Sequence, residues 1–314
     1  MATRRRLGLG VFLGVAASAT FGISGPMARS LFEIGWTPIA TVFWRCLLAS
    51  VVLVPFGLWS MRGRLRDILA EWRVIVAFGA MGVACSQFMF YSAVSRMDVG
   101  VALLIEYMAP VLLVAVAWAR TRRAPSGLVL AGVAAAVAGL VCVLNPGGAT
   151  PDPLGVVFAL ISTVGAACYF VIGARTTRLS PIALSAFGLP CGAALLGVLI
   201  LLGVVPYATP LRDVAILGQP FAWWVPLAVV AVMATALAYA LGVTGSSLMG
   251  ARLSSFVSLS EVLFAAVLSA ILLGEIPAWL QLVGAVLIIT GVVLVRLAAD
   301  DDATPKPLAV TDLG

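Results

Sequence analysis

The sequence predicts an all-α integral membrane protein whose ten transmembrane helices form two inverted five-helix repeats. Three observations carry that prediction. The 314 residues are 62% hydrophobic and only 10% charged, with mean hydropathy +1.15, whereas soluble domains run at about 45–50% apolar and about 25% charged. Apolar stretches of about 20 residues, the length that crosses a bilayer, recur ten times along the chain. Finally, the chain repeats itself. Over 125–144 against 277–296, an offset of 152, seven of twenty positions are identical without a gap. The shared frame includes Pro125 and Pro277, Gly132 and Gly284, and Gly139 and Gly291. Each of these segments is the last of five apolar spans in its half. An odd number of crossings makes the second copy enter from the opposite side, which generates a pseudo-two-fold axis in the membrane plane.

In chain order, residues 1–6 form a cytoplasmic N-terminus with Arg4, Arg5 and Arg6. The apolar stretch behind them lacks a small-residue cleavage site and reads as a retained signal anchor. The first repeat, 7–148, holds spans near 7–24, 38–58, 73–94, 99–119 and 126–144. The second, 149–297, holds spans near 154–174, 181–205, 222–243, 253–273 and 277–296. Turn chemistry separates them, as in Asn145-Pro146-Gly147-Gly148 and Gly274-Glu275-Ile276-Pro277. The remainder, 298–314, opens with Asp300-Asp301-Asp302 and contains two prolines, the composition of a disordered cytoplasmic tail.

Charge supports the alternation. Of the 19 Lys and Arg residues, Arg29, Arg96 and Arg212 fall on the outer side and Arg45 lies within a span, which leaves fifteen facing the cytoplasm. That bias puts both termini inside. The net charge of +6 is therefore a topology signal and no nucleic-acid partner is expected. All five cysteines lie in apolar segments without CxxC spacing and read as small buried hydrophobes. Histidine is absent, so His-dependent metal sites and triads are excluded, and no metal or cofactor is expected.

An ionisable residue in mid-span costs about 2.5–3.5 kcal/mol on insertion scales and needs a reason. Three qualify: Arg45, Glu106 and Glu261. Arg45 and Glu106 each lie seven residues past the outer start of their spans, about 10 Å deep at the helical rise. They are expected to pair, either lining a substrate cavity or locking the helices together. Glu261 shares a helical face with Ser258 and Ser254, at i−3 and i−7, a polar stripe that should face a cavity and not lipid. It has no obvious counter-charge nearby in sequence, so it is the candidate proton carrier; the bland alternative is a packed Glu bonded by Ser258. Gln87 and Tyr91 lie at i, i+4 on span three, and Gln87 maps by the offset of 152 onto Tyr239 of span eight. These side chains either reach a substrate or make interhelical hydrogen bonds, and Tyr91 is expected near the outer interface. Gly132, Gly139, Gly284 and Gly291 make small-residue faces for internal packing or a protomer contact. Pro110 should bend span four and leave carbonyls unpaired near Glu106.

Several stretches together resemble the drug/metabolite transporter superfamily, specifically its ten-span EamA-type members. They are Pro38 to Arg45, Tyr91 to Pro110, Gly250-Ala251-Arg252 through Glu261, and Leu273-Gly274-Glu275. The resemblance covers about 7–297. It implies a bacterial inner-membrane protein in which spans one to four and six to nine line a central cavity and spans five and ten buttress it. Arginine at position 45 is general to that family. The family's usual Glu-Pro is Glu261-Val262 here, so the proline that kinks that helix is missing. Ile105-Glu106-Tyr107-Met108-Ala109-Pro110 is similar to the branch of threonine/homoserine exporters.

The expected activity is alternating-access export of a small metabolite, an amino acid or a related compound, coupled to protons. Efflux of cationic drug-like compounds is the rival within transport. An enzyme would need a nucleophile with its base, or a metal set, and the chain offers neither. A channel would need a continuous polar pore. The partners implied are the small-molecule substrate, protons and the lipid bilayer, with the chain acting as a monomer or homodimer.

Overall fold

The computed structural model describes residues 2–122, 125–144, 151–173, 178–249 and 257–303. With no water in the hydrocarbon layer, backbone N–H and C=O groups must pair within each segment, and this strongly apolar chain accordingly folds into helices. The first half comprises α1 (Ala2–Gly22), α2 (Ser24–Glu33), α3 (Pro38–Ser60), the short α4 (Leu65–Ala70), α5 (Trp72–Ala77), a π-helical segment Phe78–Cys85, α6 (Ser86–Val94), α7 (Val99–Glu106), α8 (Ala109–Thr121) and α9 (Gly127–Leu144). The second comprises α10 (Pro153–Gly173), α11 (Pro181–Leu201), strands β1 (Val214–Ile216) and β2 (Gln219–Phe221), α12 (Trp224–Ala228), a second π-helical segment Val229–Leu237, α13 (Ala238–Met249), α14 (Ser260–Leu273) and α15 (Trp279–Ala303).

Proline at the first turn, where the missing N–H costs nothing, opens α3 and α11. Asp152 opens α10, its Oδ1 accepting from Leu154 N at 2.7 Å. The two π-helical segments correspond under the offset of 152 to within a residue, and so do the ends of α8 and α14. The latter end at Arg122 and Gly274, both left-handed, with φ of 54° and 72°. Helix pairs correspond as well. α1 packs along α13 and α10 along α6, while α3 packs on α11 and α9 on α15.

The α9–α15 contact explains the repeated glycines. A Cβ on Gly139 would stand 2.6 Å from Gly284 O, and one on Gly291 would run into Gly132 O. Gly132 faces Gly291 while Gly139 faces Gly284, so the helices run antiparallel with their backbones in contact. These glycines serve packing within the chain. Elsewhere the outward faces carry exposed Val51, Phe56, Leu263 and Val286, an apolar belt that a protein meant for water would not display.

Among the described residues, six helices are long and apolar enough to cross a membrane: Arg6–Glu33, Pro38–Ser60, Trp72–Val94, Val99–Arg120, Ile182–Leu201 and Trp224–Gly242. Four shorter apolar helices accompany them. Three expectations need correction. The fold is not purely helical: β1 pairs with β2 antiparallel through Leu217 and Gly218, both at positive φ, in the connection before α12. The first span runs to Glu33 because only Ile23 interrupts α1 and α2, so Arg29 lies within helix. There its Nη1 donates to Val94 O, at the end of α6, and to Met97 O just beyond it at 3.1 Å. The helix at the expected seventh span, α11, ends at Leu201, four residues earlier than expected. Arg252, Ser254, Asn145–Gly148 and 304–314 lie outside the described residues.

Candidate functional site

A cavity of about 260 Å³ lies among the helices and is lined from α1, α2, α3, α6, α7, α10, α13 and α14. Arg45, Glu106, Glu261, Gln87, Ser258 and Tyr239 all border it. The first three are the only charged groups among its described lining residues.

Arg45 and Glu106 do not pair. The Arg45 side chain is engaged by neutral groups on three sides: Nε donates to Thr235 Oγ1 (2.9 Å), and Nη1 donates to Tyr91 Oη (2.7 Å), Gln87 Oε1 (2.7 Å) and Ser24 Oγ (3.3 Å). The Tyr91 ring adds a cation–π contact at 5.2 Å. Thr235 can accept there because its own hydroxyl proton goes to Val230 O, five residues back, across the widened π turn. Tyr91 is not at the outer interface: it is fully buried behind Arg45 and bonded to Ser24 at 2.6 Å. Arg45 and Glu106 border one cavity, but neutral polar side chains engage the guanidinium.

Glu106 is held instead by serines. Gly165 has no side chain to keep α10 off α6; a Cβ there would meet Ser86 Cα at 2.7 Å. This close approach lets Ser162 Oγ (2.8 Å) and Ser86 Oγ (3.0 Å) both donate to Glu106 Oε1. Glu106 is also the last residue of α7, and the helix resumes only at Ala109, with Pro110 in its first turn. Proline lacks the N–H that would return to the Glu106 carbonyl. At the break Thr163 Oγ1 reaches Ile105 O at 3.0 Å.

Tyr107 sits in that break and crosses to the other half. Its hydroxyl lies 3.0 Å from both Ser258 O and Glu261 Oε2. Glu261 lies in the first turn of α14, after a turn at Leu259. The helix is thus interrupted there without the proline. Leu259 is Tyr107 plus 152, so both interruptions occupy corresponding positions. Ser258 lines the cavity but lies across the Leu259 turn from Glu261, while Tyr107 supplies the bond.

Aromatic walls complete the space. Tyr239 packs edge-on against Phe21 at 5.4 Å, and Tyr169 lines the same space. At the rim, Glu275 Oε2 accepts from Val99 N at 3.1 Å, where α7 begins; burial holds its carboxyl above the usual carboxylate range. Ser24, Ser86, Tyr107, Ser162, Tyr169 and Thr235 were not singled out by sequence. Only Tyr107 carried a signal, as the neighbour of Glu106.

The EamA-like transporter family matches over residues 8–145 and again over 153–297. The chain belongs to that family. It is 26% identical over 294 residues to a Salmonella typhimurium relative described as "Uncharacterized inner membrane transporter YicL", covering 90% of this chain and 93% of the relative. Among solved structures, the crystal structure of a protein shares the fold of this EamA-like transporter at TM-score 0.61 and 19% identity. That likeness covers 94% of this chain and 99% of the other.

Proposed function

We propose that this EamA-like transporter is a proton-coupled secondary active transporter, exporting a small metabolite, an amino acid or related compound, by alternating access. Its six long and four shorter apolar helices would make ten spans in two inverted repeats. The antiparallel crossing of α9 and α15, which correspond in sequence, supports that inversion, as do the matched π segments. Both termini would face the cytoplasm of a bacterial inner membrane, in keeping with the charge bias and with the relative's description. A monomer or homodimer would serve equally, since the cavity draws on one chain.

The observation that carries this reading is the charge of the cavity, whose described lining residues include one guanidinium and two carboxylates. With all three ionised the net charge is −1, and burying it in hydrocarbon is costly. One proton, or one cationic ligand, restores neutrality. Glu261 is the group we assign to the proton, because Glu106 is already solvated by two serine hydroxyls. The same charge balance, with Phe21, Phe90 and Tyr239 on the walls, favours efflux of lipophilic cations as the second reading.

The test is flux in proteoliposomes under an imposed pH gradient, comparing wild type with Glu261→Gln across neutral amino acids and one lipophilic cation. Gradient-driven flux lost in the variant, with folding intact, is expected. Unchanged gradient-driven flux in Glu261→Gln would remove Glu261 as the proton carrier.

A further inference from the structure

A guanidinium carries five N–H donors, and the protein occupies three of those on Arg45. Nε is bound to Thr235, and the two Nη1 protons are shared among Tyr91, Gln87 and Ser24. Nη2 donates to no acceptor among the described residues. It is not sealed in the packing either: among the described residues the one buried side-chain polar atom without a partner is Ser269 Oγ. Arg45 is 4% exposed and borders the cavity, so the Nη2 edge meets that space.

The two acids are arranged in the complementary way. Glu106 takes both serine hydroxyls on Oε1, and among the described residues no donor reaches its Oε2. Glu261 takes the Tyr107 hydroxyl on Oε2, and among the described residues no donor reaches its Oε1. A buried donor edge and two free carboxylate oxygens therefore share one cavity with Phe21, Phe90 and Leu103 as its apolar wall. At about 260 Å³ it falls below the usual range for drug-sized ligands, about 300–1,000 Å³.

We propose that Nη2 of Arg45 recognises a substrate carboxylate while the free oxygens of Glu106 and Glu261 receive its ammonium group, so that the cavity selects small zwitterionic amino acids over lipophilic cations. The inference rests on the transporter reading and names the substrate class of that site. A carboxylate on Nη2 makes a charge-assisted hydrogen bond in a low-dielectric space. A ligand without one leaves a desolvated guanidinium edge unpaired, and a cation lacking it meets a like charge there. Loss of such a contact discriminates far more strongly than a change in apolar bulk.

The experiment is calorimetric binding to the purified full chain with four probes of one apolar skeleton: L-leucine, L-leucine amide, 4-methylpentanoate and isoamylamine. Leucine is expected to bind at least about tenfold more tightly than its amide, with isoamylamine weakest. Arg45→Gln, checked for monodispersity, is expected to level leucine and its amide to a ratio near one, which a merely structural loss would not do. Should that variant fail to fold, the ranking on wild type decides alone. Equal binding of amide or amine and leucine, or no leucine binding up to about 10 mM, overturns the proposal. Leucine binding with the carboxylate preference but without gradient-driven flux would instead overturn proton coupling and leave the Arg45 assignment standing.

Discussion

Substituting Gly139 by alanine tests the packing that joins the two halves. The added methyl would stand 2.6 Å from Gly284 O, 2.8 Å from Ile288 N and 2.9 Å from Ile288 Cγ1. Two of these are backbone atoms and cannot rotate away. Ordinary contact begins at 3.4 Å, so the helices must part by about 0.8 Å at that point. A gap of that size forfeits roughly a quarter to a half of each atom–atom well of about 0.1–0.2 kcal/mol. Over roughly 30 such contacts the loss is about 1–3 kcal/mol, from which alanine's better helix propensity recovers at most about 1 kcal/mol. The expected net destabilisation is about 1–2 kcal/mol, read by reversible unfolding of the detergent-solubilised protein. Gly127→Ala is the control: it lies on the same helix with nothing within 4 Å of the new methyl and should not destabilise. Gly139 and Gly284 each face the other's carbonyl, so the double substitution should cost less than the two singles together, because one separation relieves both clashes. Equal stabilities for Gly139→Ala and Gly127→Ala would refute the argument. So would a change of oligomeric state with unfolding unaltered, since the face would then be a seam between protomers.

Two further outcomes follow from the same geometry. Tyr107→Phe removes the hydroxyl shared by Ser258 O and Glu261 Oε2; unfolding should shift by no more than about 2 kcal/mol, while gradient-driven flux falls severalfold, and flux equal to wild type would discard Tyr107 as a partner of Glu261. Asp152 is held below the usual carboxylate range by the Leu154 N–H first and Arg96 second, so its contribution is complete above the unfolded carboxylate pKa and lost as pH falls through the folded one. Thermal scans between about pH 5 and pH 2 should show Asp152→Ala less sensitive to acid than wild type, and parallel curves would remove that role.

How far the sequence reached is best seen in what it could measure. Position along a helix is one-dimensional and follows from counting, so spacing alone could single out Arg45, Glu106 and Glu261, which border one cavity. Azimuth and local hydrogen bonding are not, and there the expectation of an Arg45–Glu106 pair failed. Ser86, Ser162, Gln87 and Tyr91 lie on neighbouring helices, and no pattern along α3 or α7 predicts which of them arrives first. The repeated glycines were legible because a close backbone approach tolerates little else. The π segments were not, since Phe78–Cys85 and Val229–Leu237 are as apolar as ordinary spans. Leu217 at positive φ is likewise a poor advertisement for a hairpin, which more often announces itself by Asn-Gly.

The helix breaks make the sharper point. Proline explains the interruption after Glu106, yet the corresponding interruption at Leu259 has Val262 where the first half has Pro110. A break that recurs without its usual residue must be held by its surroundings, and the structure supplies a candidate. Tyr107, from one break, bonds the carbonyl of Ser258 at the other and reaches Glu261 just beyond it. The carbonyl freed where a helix stops needs a donor in a membrane, and here the opposite half provides one. Each discontinuity is thereby part of the other's stability, and the residue that joins them touches the carboxyl to which we assign the proton. A change at Glu261 would then reach the Ser258 carbonyl through a single hydroxyl, without any intervening helix having to move.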